Sequence, residues 1–286
     1  MKNYIFLVVV LFYAISCKQS SNTETIHTQP FFNAISDSTL HYYELGWRQI
    51  MDEGHYGPAE ASYRRALQFD PHFLMGKSVL ARLTLDLEER LKLFNELQEQ
   101  KETITGDERL ILDVYIGLTY FTNVREQTPE LARPVIDSVL KLAEHNLRVI
   151  VHKYPDEIYL KSEYLEILHS LYGPKQVIDS LQTLLTEDQK DNWFLKGYLA
   201  GMYAELEQYE KALGVAQELE QAIQNTTIPK AYAVYADVYF KKQDYKTAKK
   251  YADQAVKLDP RNLDASRLKT RIDSFLQTQK DTITVD

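Results

Sequence analysis

Cysteine is nearly absent: 286 residues hold one, Cys17. No intramolecular disulfide and no cysteine-rich metal site can form. Glycine and proline are scarce, at 10 and 9 residues. A β-sandwich or barrel needs more turn residues than that, and so does a glycine-rich nucleotide-binding fold. An excess of positive charge is missing as well. The 33 basic and 41 acidic residues leave a net charge of −8, which argues against nucleic-acid binding through a global positive field. No glycine-rich phosphate loop and no G-x-S-x-G elbow occur, and Glu144-His145 lacks the second histidine of an H-E-x-x-H pair. The carboxylates are expected on charged helix faces, without an apolar setting to raise a pKa. An enzyme is not expected, and neither is a metal, a cofactor or a small-molecule substrate.

What the chain does have is apolar content of 44% and charged content of 26%, enough to bury a sizeable core. Alanine, leucine, lysine, glutamate and glutamine dominate, a helix-forming composition. The N-terminus stands apart. Lys2 precedes an almost wholly apolar stretch from Tyr4 to Ile15, closed by Ser16-Cys17. As a helix it would span roughly 18 Å, too short for a bilayer core of about 30 Å. It suits the apolar region of a secretory signal peptide.

The tetrapeptide Ala14-Ile15-Ser16-Cys17 resembles the lipobox of bacterial lipoproteins, with Ala14 where leucine is commonest. The resemblance implies that residues 1–16 are a signal peptide, removed after the Cys17 thiol is acylated, and that the new amine is acylated too. Acyl chains of this number would hold the protein on a membrane essentially permanently. Lys18 stands where inner-membrane lipoproteins often carry aspartate, so the resemblance points to an outer-membrane protein facing the periplasm. Residues 17–36 are polar and aperiodic and read as a lipidated flexible tether. Phe31 and Phe32 are the exception and are expected to dock on the first helices.

The remainder, 37–286, repeats. Residues 54–71 (GHYGPAEASYRRALQFDP) align with 243–260 (QDYKTAKKYADQAVKLDP). Tyr56 matches Tyr245, Ala59 matches Ala248, Ala66 matches Ala255, and Asp70-Pro71 matches Asp259-Pro260. The pattern resembles the tetratricopeptide repeat (TPR), a 34-residue helix–turn–helix unit. Counted from Pro229, Ala236, Ala248 and Ala255 fall at the positions where that family has small residues, 8, 20 and 27. Tyr232, Tyr239 and Tyr245 fall at its aromatic positions 4, 11 and 17. Proline ends a unit because it disfavours helix in the residue before it. The best-matching repeats are 40–73, 193–228 and 229–262. The middle of the chain follows in period and length, and residues 262–278 suit a closing helix. The expectation is an all-α fold, a right-handed α-solenoid of TPR-like antiparallel helix pairs with a C-terminal capping helix.

In that family, positions 2, 5, 9, 12 and 13 of each first helix line a concave groove that holds a protein segment. Here they are Phe194, Gly197, Gly201, Ala204 and Glu205, then Lys230, Ala233, Asp237, Phe240 and Lys241. Two readings of Gly197 and Gly201 stay open: close approach of a neighbouring helix, or a shallow trough between Phe194 and Phe240. The clamp by which some members hold acidic C-terminal tails is missing at positions 5 and 9, which are Ala233 and Asp237, and Glu44 and Arg48 in the first unit. The function implied is a membrane-anchored periplasmic scaffold binding a protein or peptide. The alternative is a subunit of the outer-membrane β-barrel assembly machinery, whose lipoprotein subunit is also a stack of such repeats.

Overall fold

The computed structural model describes the backbone of residues 32–283 and the side chains of residues 32–277. The expected signal peptide, Cys17, Phe31 and most of the expected tether lie outside the described residues. Among the described residues there are thirteen α-helices and no strand. They run as antiparallel pairs: α1 (Asp37–Arg48) with α2 (Tyr56–Phe69), α3 (Leu74–Leu83) with α4 (Leu87–Gln100), and α5 (Gly106–Gln127) with α6 (Ala132–Lys153). Then come α7 (Ile158–Tyr172) with α8 (Pro174–Leu184), α9 (Trp193–Glu205) with α10 (Tyr209–Ile223), and α11 (Lys230–Lys241) with α12 (Tyr245–Leu258). Helix α13 (Leu263–Ile283) closes the stack against α11 and α12. No helix among the described residues is long and apolar enough to cross a membrane.

Local chemistry sets these boundaries. Ser36, Asp86, Asn192 and Asp244 each place a side-chain oxygen on a backbone N–H of the first turn of α1, α4, α9 and α12, satisfying a donor the helix itself cannot. Pro174 starts α8, where its missing N–H costs nothing. The turn inside three pairs needs a left-handed residue two places before a tyrosine. Gly54 fills it before Tyr56 at φ 72°, Glu207 before Tyr209 at 61°, and Gln243 before Tyr245 at 64°. Ala236, Ala248 and Ala255 are fully buried, so helices α11, α12 and α13 approach closely.

On the inner side of the first four pairs Trp47 sits in an aromatic cluster, its ring centroid 6.1 to 6.4 Å from those of Tyr63, Tyr115, Tyr159 and Tyr43; cavities of about 170 and 210 Å³ remain, one beside Trp47 and one between α3, α5, α6 and α7. One continuous core therefore spans α1 to α9.

The array also closes on itself. After α1 the chain enters a π-helical turn, Gln49–Glu53, that packs on α9. Asp52 there accepts hydrogen bonds from Tyr159 Oη, Asn192 Nδ2 and the Phe194 N–H. The α12–α13 junction then reaches the first pair. Asp259 Oδ2 accepts from the N–H groups of Tyr56 and Gly57, Asn262 Nδ2 donates to Gly54 O at 2.7 Å, and Arg261 pairs with Glu60 at 2.6 Å.

One expectation is corrected at its C-terminal end. The tether reading extends to residue 36, but residues 32–36 are pinned. Phe32 packs edge-on against Tyr43, the Asn33 N–H donates to Glu108 Oε2, and the Ile35 N–H donates to Asp70 Oδ2. Asp70, placed by the repeat pattern, and Glu108 hold this segment from 35 and 75 residues away in sequence, which local polarity does not reveal.

Candidate functional site

A cavity of about 340 Å³ opens where the inner helices splay beyond the Trp47 core. Phe194 and Tyr198 of α9 form one wall, with rings stacked 5.5 Å apart. Lys230, Ala233 and Asp237 of α11 form the second. Asp264, Arg267 and Arg271 of α13 form the third, and Glu166 of α7 enters from behind. Gly54 and Asn262, from the closure of the ring, bound one end.

Five of the groove positions read from the sequence thus meet here: Phe194, Gly197, Lys230, Ala233 and Asp237. The others do not line it. Ala204 is 1% exposed and belongs to the packing between α9 and its neighbours. Gly201 is buried under Lys241, whose Nζ donates to Gly201 O at 3.2 Å and to Asp237 Oδ2 at 2.7 Å. Glu205 pairs with His169 at 3.0 Å. Phe240 packs with Tyr245 and Phe275, outside the cavity proper. The geometry at Gly197 favours close approach over a trough. A Cβ there would stand 2.7 Å from Val234 Cγ2, so α11 leaves no room for one.

The electrostatics are uneven. Lys230 is 8% exposed, and its Nζ lies 4.5 Å from the Phe194 ring centroid. Burial lowers its pKa, against the pull of Asp264, Asp52 and Glu166. The Glu166 carboxyl is raised to about 7, first by burial, then by Glu163 and Asp264; Arg82 and Lys230 oppose the rise. Glu163 itself takes Arg82 Nη1 at 2.6 Å on one oxygen, while its other oxygen is buried without a partner. Asp264 Oδ2 accepts the Tyr56 hydroxyl at 2.8 Å. Among the described residues no group of histidine, aspartate and glutamate could hold a metal ion.

Sequence reading did not name Glu166, Tyr198, Asp264, Arg267 or Arg271. For α13 a signal existed. Carrying the 34-residue frame one unit further puts Asp264, Arg267 and Arg271 at positions 2, 5 and 9. Glu166 lies on α7, where the frame fades and nothing in the sequence marks the inner face.

Residues 236–281 are similar to a family described as Fis1 C-terminal tetratricopeptide repeat. That span starts within α11 and takes in α12 and most of α13. No curated protein matches the chain. The fold is an all-helical, TPR-like solenoid.

Proposed function

We propose that this protein is a binding scaffold that holds a protein or peptide segment in the cavity between α9, α11 and α13. The observation that carries the reading is the cavity itself: apolar and charged side chains converge from four helices on a space the core leaves unfilled. TPR-like solenoids generally act by binding proteins rather than by catalysis, and a pocket of mixed aromatic and charged walls suits that use. The membrane attachment, at Cys17, and the periplasmic location rest on the N-terminal motif.

Two experiments test the reading. A photo-crosslinking amino acid at Tyr198, in the cavity, should trap a discrete polypeptide in cells, whereas one at Leu142, on the outer face of α6, should not. Equal, diffuse labelling from both sites would defeat the scaffold reading. β-barrel assembly components in the adduct would favour the assembly-machinery alternative. For the anchor, Cys17→Ser should abolish incorporation of labelled palmitate; equal incorporation by both proteins would refute it.

A further inference from the structure

Glu163 and Glu166 stand one turn apart on α7 and line the same two inner cavities. Glu163 is 5% exposed. Arg82 Nη1 occupies one of its oxygens at 2.6 Å, while the other, Oε2, is buried and accepts no hydrogen bond. The Tyr115 hydroxyl, its pKa raised first by burial and then by the charge of Glu163, has no hydrogen-bond partner either. An acceptor left open inside a protein is costly, more so when it carries charge. The Glu166 carboxyl feels four charged neighbours, Glu163, Asp264, Arg82 and Lys230, and holds none of them in a hydrogen bond.

The cavity of about 170 Å³ lies between these acids and Trp47. Trp47, Tyr56 and Phe194 give it aromatic walls, and Val79 and Leu83 aliphatic ones. Three carboxylates line it, Glu163, Glu166 and Asp264, against two cations, Arg82 and Lys230. Arg82 is engaged by Glu163, and Lys230 lies over Phe194 among Asp264, Asp52 and Glu166. Asp264 also takes the Tyr56 hydroxyl. With every group ionised, the lining is short of one positive charge, and the open acceptors are those of Glu163 and Glu166. On the far side of the same two acids, Leu118, Phe121 and Leu140 wall the cavity of about 210 Å³.

We propose that Glu163 and Glu166 bind the ammonium group of a small aliphatic amine, whose hydrocarbon part lies against the apolar walls of these two cavities. An ammonium has three N–H donors, enough for Glu163 Oε2 and the Glu166 carboxylate together, and aromatic walls favour a cation further. A metal ion suits the place less well, since no donor cluster among the described residues could hold one. The cavities are smaller than the roughly 300 Å³ at which drug-sized sites begin, so the ligand is compact. The way in is the candidate cavity, which shares Glu166, Phe194, Lys230 and Asp264 with the space beside Trp47. The amine site stands apart from the polypeptide-binding reading, and neither depends on the other.

The test is calorimetric titration of the full-length chain in detergent with n-butylamine, and with n-butanol as the uncharged analogue. The amine should bind at pH 8 and the alcohol should not. Glu163→Gln, which leaves Arg82 an amide oxygen, should abolish binding. Glu166→Gln, which keeps the shape of the side chain, should weaken it about tenfold and carries the test alone where the first variant does not fold. Wild-type affinity should fall roughly tenfold from pH 8 to pH 6, as Glu166 takes up a proton while the amine stays charged. Glu163, Asp264, Arg82 and Lys230, which face Glu166, should keep their charge across that range, and Glu166→Gln should flatten the profile. Equal binding of alcohol and amine, no heat from the amine, or a Glu166→Gln variant with wild-type affinity and pH profile would each overturn the proposal. So would a lysine-containing peptide that binds where butylamine does not, by giving the acids to a partner's side chain.

Discussion

Asp259 caps a helix two hundred residues upstream: its Oδ2 accepts the N–H of Tyr56 at 2.5 Å and that of Gly57 at 3.2 Å, at the first turn of α2. Its other oxygen takes the N–H of Arg261 two residues on. Asp70, its counterpart in the first unit, does the same in miniature. One Asp70 oxygen takes the His72 N–H and the other the Ile35 N–H. The Asp-Pro that ends a unit therefore makes a local turn with one oxygen and a distant contact with the other.

Asp259→Ala should lower stability by about 2 kcal/mol, the loss of a helix cap plus two stranded donors. Amide exchange at Tyr56 and Gly57 should accelerate together with that at Gly54. Unchanged protection at these amides would mean the closure does not depend on Asp259.

Gly197→Ala should destabilise, because the new methyl meets Val234 on a neighbouring helix. Gly214→Ala is the control. It lies inside α10 with nothing within 4 Å of its Cβ position, and should gain roughly 0.5–1 kcal/mol from helix propensity. Chemical denaturation of the two variants should move in opposite directions.

Ala248→Leu and Ala255→Leu each overpack a site with no exposure. The cost should be roughly 1–3 kcal/mol, read as a lowered melting temperature. Variants that melt with wild type would show that α12 can move away from its neighbours freely.

Gln243→Gly removes a left-handed strain at φ 64°, where the first unit already has Gly54. It should stabilise by about 1 kcal/mol. A lowered midpoint in urea would mean that the glutamine side chain contributes more than its backbone costs.

Glu166 gives stability a pH dependence of definite sign. Its folded pKa, about 7, exceeds the ordinary 4.5. Between those values the folded chain binds more protons than the unfolded one, so this group's contribution falls as pH rises through the window. The groups that face it are Glu163 on its own helix, Asp264 on α13, Arg82 on α3 and Lys230 on α11. Glu166→Gln should match wild type near pH 4 and exceed it by on the order of 2 kcal/mol near pH 8. A difference between the two proteins that stays constant across this range would be inconsistent with a raised Glu166.

Much of the helical order was legible because its signals are local. Small residues at Ala236, Ala248 and Ala255 and the Asp-Pro stops act within a few residues of where they stand. The closure was not legible. Asp52, Asp259 and Asn262 look like ordinary turn residues, and only the curvature accumulated over six pairs brings them to their partners. The candidate cavity was legible in part. Of the groove positions, Phe194, Gly197, Lys230, Ala233 and Asp237 line it on the α9 and α11 walls. Ala204 is taken up by the α9 packing instead, and the α13 wall was missed because its helix was read as a cap and not as one more unit.

A linear stack of repeats melts from its ends, since each terminal unit has one neighbour. Here α2 and the α12–α13 junction are each other's second neighbour, so neither end frays without breaking the contact with the other. Loss of the last unit strips caps from the first. The array should therefore unfold in one cooperative step and refold slowly, because its closing contacts join segments more than two hundred residues apart.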